Sequence, residues 1–217
     1  MGTFGAGAAH GIAGGILNHC GALVRRCLHS LSRGSGNSRD GERRSSSPRL
    51  VFLDFDHTLT VVHVFKALAG WLDEGADLLG ACGAVAKPHA ITERGQLRRL
   101  SELGPAWGEQ AFGGSARIEE LRALLAHLTG PLRCRLILIT RGYMAVVRKC
   151  LQDVGLLSYF SEVYANVGTA YGRGTAFDHA SEELPPALEG LLGEECEGQW
   201  VSKASVVIAH KISAGLS

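Results

Sequence analysis

The chain has 217 residues, 46% hydrophobic and 20% charged, with a formal net charge of +1. Those values fit a globular chain with room for one domain and an appendage, and they exclude a low-complexity or fibrous protein. Of 22 basic and 21 acidic residues, seven arginines but only Asp40 and Glu42 fall in residues 1–49, so the remainder carries four more acids than bases and offers no basic nucleic-acid face.

Residues 1–49 read as a leader, rich in Gly and Ala and then in Ser and Arg, with no acid before Asp40. Arg-rich, acid-poor leaders are the composition of plastid or mitochondrial transit peptides, and a disordered tail is the second reading. No positive charge precedes the apolar stretch, so secretion is not expected, and a cytoplasmic or organellar location is. Gly11 to Val24 is too short and glycine-rich to span a bilayer, so no membrane association is expected. Ala6 stands where a myristoylated start needs Ser or Thr. The six cysteines (20, 27, 82, 134, 150, 196) form no Cys-x-x-Cys and read as reduced thiols. His19, Cys20, Cys27 and His29 match no zinc spacing.

Strand one is expected at 50–55. Leu50 to Leu53 is a continuous apolar run, the pattern of a strand buried on both faces of a parallel sheet. It ends in Asp54-Phe55-Asp56, and a period of two would send Asp54 and Asp56 to one side and Phe55 and His57 to the other. Two carboxylates so close repel unless a cation or shared proton relieves them. His57 is then expected to serve packing or the loop. Val61 to Trp71 reads as a helix with Val64, Leu68 and Trp71 on one face. Residues 72–112 mix helical pieces with Gly and Pro breaks.

Residues 116–128 predict an amphipathic helix, with Ile118, Leu121, Leu124, Leu125 and Leu128 on one face and Ser115 as N-cap. Gly130-Pro131 ends it. Leu136 to Ile139 is a second buried strand, Tyr143 to Val154 a helix stopped at Gly155, and Phe160 to Tyr164 a third strand. Val206-Val207-Ile208 is apolar and β-branched, but Val201, Ser205, Ile208 and Ile212 follow helical spacing, which favours a helix. Helices between apolar strands imply βαβ units, so the fold class expected is α/β, a Rossmann-like parallel sheet with helices on both faces.

Asp54-Phe55-Asp56-His57-Thr58 at a strand end, Ile139-Thr140-Arg141-Gly142 at the next, and Lys203 before an apolar segment together resemble the motifs of the haloacid dehalogenase-like hydrolases. The resemblance covers residues 50 to about 212. It implies a core of residues 50–60 and 113–217 and a small helical cap insert at 61–112 that closes over the site. It further implies a Mg²⁺-dependent phosphomonoesterase acting on a small phosphorylated substrate. Asp54 would be the nucleophile, forming an aspartyl-phosphate, and Asp56 the acid/base. Thr140 would hold a phosphoryl oxygen, Lys203 would neutralise phosphate charge, and Arg141 would contact substrate or lie at the surface. Asp54 and Asp56 would also meet the metal. Thr140 has a competing reading as a helix cap, and Lys211 competes with Lys203. The family's fourth motif, an acid-bearing strand beside strand one, has no counterpart, since no acid follows Glu197. That departure lowers the expected metal affinity and opens a second reading, an impaired relative that binds a phosphorylated ligand or a protein partner. A dehalogenase would not need Asp56, whereas a phosphomutase would use the same residues.

Overall fold

Three short apolar segments align side by side in the same direction, and the described helices pack around them. The structure is a computed structural model, and it describes residues 49–70, 90–172, 183–193 and 202–215. Residues 1–48, residues 71–89 including Trp71, and Val201 lie outside the described residues.

The strands are β1 (Arg49–Leu53), β2 (Cys134–Tyr143) and β3 (Phe160–Asn166), and they form a parallel sheet in the order β1-β2-β3. The register pairs Phe52 with Ile137 and Leu53 with Leu138. The helices are α1 (Val64–Leu68), α2 (Glu93–Leu103), α3 (Pro105–Ala111), α4 (Ser115–Thr129), α5 (Met144–Asp153), α6 (Pro186–Glu189) and α7 (Lys203–Ser213). A 3-10 turn, Leu157–Tyr159, leads into β3. Among the described residues the fold is thus α/β, a three-strand parallel sheet flanked by helices. No helix among the described residues is long and apolar enough to cross a membrane.

β2 is the centre of the core, and Leu136, Ile137, Leu138 and Ile139 are all buried. Ile137 and Ile139 point to one face, where Val206 of α7 packs on them together with Leu50, Phe52 and Tyr164. By strand alternation Leu136 and Leu138 face the other way and are just as buried, so both faces are covered. α4 and α5 pack against β2, and α2 and α3 pack against α5. Leu97, Leu100 and Trp107 of α2 and α3 are buried there, so these helices are apolar for the same reason the core is.

Several boundaries differ from expectation for identifiable reasons. β1 ends at Leu53 rather than residue 55, and Leu50 to Leu53 are half-buried rather than buried on both faces. Among the described residues β1 has a strand neighbour, β2, on one edge only. The first helix covers Val64–Leu68, with His63 as N-cap and Gly70 at φ 67 just beyond it. Ser115 is the first residue of α4, not its cap. The cap is Gly114 at φ 90, which follows Gly113 at φ 89, and a left-handed entry of that kind favours glycine over serine. Ile118, Leu121, Leu125 and Leu128 are buried as the spacing predicts, whereas Leu124, expected on the same face, is half-buried. Residues 203–213 are helical, and a capping box between Ser202 and Ser205 starts that helix.

Candidate functional site

The carboxyl ends of β1 and β2 lie together, because Leu53 is in register with Leu138. Asp54 leaves β1 there and Thr140 lies near the end of β2, at the place where parallel sheets put their chemistry. Beyond Leu53 the chain does not continue as a strand. It winds over the Phe55 carbonyl, which accepts the amides of Thr58 (3.3 Å), Leu59 (3.0 Å) and Thr60 (3.1 Å) and the Thr60 hydroxyl (3.1 Å). The Arg117 guanidinium, from the first turn of α4, donates to the carbonyls of Thr58 (2.9 Å), Leu59 and Phe112 (2.7 Å). The turn carrying the two acids is therefore clamped from below by a side chain.

Asp54 accepts the Phe55 amide at Oδ1 (2.8 Å) and the Lys203 ammonium at Oδ2 (2.5 Å). Lys203 is the first residue of α7, so docking of Val206 on the sheet carries it to the strand ends. Lys211 lies two turns further on, about 12 Å along the helix axis, and is exposed.

Asp56 Oδ1 accepts the Val64 amide at 2.7 Å, which ties it to the start of α1. His63 Nδ1 stands 3.5 Å from the same oxygen, within ion-pair reach but without a hydrogen-bond partner. Burial pushes the Asp56 carboxyl above its ordinary range, and the Asp54 charge adds to the rise. His63, the Val64 amide and His57 pull it back. Burial likewise lowers His63, while Asp56 opposes that shift. His57 does not turn away from the acids as strand alternation would have it. It sits in the turn at φ 55, with its ring edge-on to His63 at 5.9 Å, close enough to influence Asp56. The two-residue period fails because the strand has already ended.

Thr140 is fully buried, and its Oγ1 accepts the Gly142 amide at 3.0 Å. The β2–β3 pairing is irregular between Ile139 and Tyr143, so the strand end is bent at this hydroxyl. Tyr143, not Thr140, is the N-cap of α5. The Arg141 carbonyl accepts Asn166 Nδ2 (2.7 Å) and the Tyr171 hydroxyl (2.6 Å). Its exposed guanidinium stands near that hydroxyl and lowers its pKa, although burial raises it overall. Tyr171 packs on Phe65 with ring centroids 4.2 Å apart and edge-on to Tyr143 at 5.7 Å, and it also feels the Asp56 charge. An aromatic wall thus stands beside Asp56. The structure joins Asp54 to Lys203 and places Asp56 near both His57 and Tyr171. The Arg141 carbonyl ties the end of β2 to Asn166 and Tyr171.

Glu93 had no counterpart in the sequence reading. It lies in the first turn of α2, 2% exposed. Its Oε1 accepts the Ala145 amide (2.8 Å) and its Oε2 the Gly168 amide (2.7 Å). Burial raises its pKa, and the amides of Gly168, Ala145 and Gly193 and the Arg148 charge lower it. Thr92-Glu93 is recognisable in sequence as a helix start, and Thr92 does accept the Gly95 amide (3.2 Å), but nothing local identifies the partners of Glu93.

The oxygen-only pair Asp54 and Asp56 suits a hard cation such as Mg²⁺, which keeps several waters and needs few protein ligands. Among the described residues no group of three or more His, Cys, Asp or Glu side chains gathers to hold a metal. The fold and these groups define an α/β protein with an acid pair and a lysine at the carboxyl end of a parallel sheet. No family model, curated protein or solved structure matches the chain.

Proposed function

We propose that the chain is a Mg²⁺-dependent phosphomonoesterase of the haloacid dehalogenase-like class, acting on a small phosphorylated substrate through Asp54. The observation that carries this reading is the contact between Asp54 and Lys203, 2.5 Å apart although they stand 149 positions apart in sequence. A cation beside a nucleophilic carboxylate offsets the repulsion between that carboxylate and a phosphate dianion. An Asp54 oxygen attacks phosphorus and the bond to the ester oxygen breaks. Asp56 gives its proton to the departing alkoxide. Water then attacks phosphorus, loses a proton to Asp56, and releases phosphate with Asp54 restored. The raised pKa of Asp56 is in the direction a general acid needs. Thr140 has a hydroxyl proton to donate to a phosphoryl oxygen, because its oxygen is already fixed by Gly142. Asp54 and Asp56 would hold the Mg²⁺, which when bound draws charge from the transferred group.

The full chain should hydrolyse an aryl phosphate in the presence of Mg²⁺, and Asp54→Asn should remove the activity. Turnover that persists in that variant rejects the mechanism. One observation favours a second reading, a protein that binds a phosphorylated ligand without turning it over: both Asp54 oxygens are hydrogen-bonded, which weakens the carboxylate as a nucleophile. Phosphate binding by a wild-type chain that hydrolyses nothing would select it.

A further inference from the structure

We propose that Glu93 is a positioning residue that locks the substrate-binding turn at the end of β2 to the insert helix α2. The inference rests on the phosphate-binding reading of the Thr140 turn and adds a part to it. Ala145 is the second residue of α5, so its amide is one of the first-turn donors that a helix leaves without an internal partner. Glu93 supplies that partner from α2, and a carboxylate near a helix amino terminus also meets the favourable end of the helix dipole. Its second oxygen takes the Gly168 amide, and the Glu93 amide donates in return to the Gly168 carbonyl at 2.9 Å. Gly168 lies two residues beyond the end of β3, at φ 65. One carboxylate therefore spans α2, the start of α5 and the loop after β3.

The neighbouring contacts leave the turn little slack. The Tyr143 hydroxyl donates to the Ile91 carbonyl at 2.6 Å, so links from 91 to 143 and from 93 to 145 straddle Met144. On the other side Asn166 and Tyr171 hold the Arg141 carbonyl. Gly142 is pinned to Thr140 between these two sets of contacts. Replacing one Glu93 oxygen by an amide nitrogen, which donates and cannot accept a backbone N–H, releases the amino end of α5 and, through it, the Thr140–Gly142 turn. The Asp54–Lys203 pair lies on other elements and is untouched. Glu93 should therefore govern how tightly phosphate is held more than how fast it is transferred.

The test uses the full chain, with inorganic phosphate as the probe. In Glu93→Gln with a native near-UV circular dichroism spectrum, the phosphate dissociation constant and the aryl phosphate KM should each rise about tenfold, while kcat changes less than about threefold. Glu93→Asp, which keeps the charge but shortens the reach, should fall between. Unchanged phosphate affinity in folded Glu93→Gln overturns the proposal, as does a fall in kcat with KM unchanged. A measurement on the wild type covers variants that do not fold: phosphate should shift the amide resonances of Ala145 and Gly168 together with that of Gly142. Movement of Gly142 alone overturns the proposal. A wild type that binds no phosphate defeats the underlying reading, and the proposal with it, before any variant is compared.

Discussion

Lys203 Nζ lies 2.5 Å from Asp54 Oδ2, with both side chains about two-fifths exposed (41% and 42%). An ion pair so open to water adds little to stability, on the order of 0–1 kcal/mol. Its value is expected in catalysis. Lys203→Met should lower kcat/KM by about 10²–10³, as loss of one charge-stabilising group does elsewhere, with a melting temperature close to wild type. Steady-state kinetics beside a thermal melt would decide. A large loss of stability with activity retained would make the pair structural instead.

Arg117 serves the opposite end of the acid turn. Its guanidinium meets three backbone carbonyls, of Thr58, Leu59 and Phe112. Arg117→Met keeps most of the stem and removes the donors, and it should cost about 2–3 kcal/mol in urea unfolding. Activity should fall as well, because Asp56 shares that turn. A variant as stable as wild type would show that water replaces the guanidinium without cost.

α7 provides an internal contrast. Val206 is 5% exposed against Ile137 and Ile139, whereas Ile212 is 73% exposed. Val206→Ala should cost about 1.5–3 kcal/mol from lost burial and the gap left behind. Ile212→Ala should stay within about 0.5 kcal/mol of wild type. Equal effects would mean that the outer face of α7 is covered in solution.

Glu93 has a folded-state pKa raised above the ordinary 4.5, chiefly by burial. A carboxyl of that kind favours folding in its protonated form. Its contribution is fully present below 4.5 and is lost as pH climbs through the raised value. The amide of Glu93→Gln does not titrate. The stability of wild type minus that of Glu93→Gln should therefore grow between pH 7 and about pH 5. Urea unfolding of both proteins at the two pH values measures the difference, and a flat or shrinking gap would show that the three amides outweigh burial.

Much of the scaffold was legible because burial leaves a pattern in the residues themselves. Leu136 to Ile139 announced the central strand, and the leucines of α4 announced their buried face. Asp54 stood out at the end of an apolar run, whereas Lys203 was indicated only by the resemblance of its place to a family motif, with Lys211 competing. Spacing alone misled where it was extended past its element. Alternation stopped at Leu53, so His57 came towards Asp56 rather than away from it. The Val201–Ser205–Ile208–Ile212 spacing identified a helix, yet Val206 lies on the buried face while Ile208 and Ile212 are exposed. Glu93 was invisible because its partners are main-chain amides, which every residue but proline carries and which leave no mark in a sequence.

The offset of 149 positions from Asp54 to Lys203 also sets a clock on biosynthesis. At ribosomal rates of about 5–20 residues per second, the lysine is made roughly 7–30 s after the aspartate. During that interval the nascent polypeptide carries a bare carboxylate at the tip of β1, and the Asp54–Lys203 pair is assembled only when α7 has left the exit tunnel.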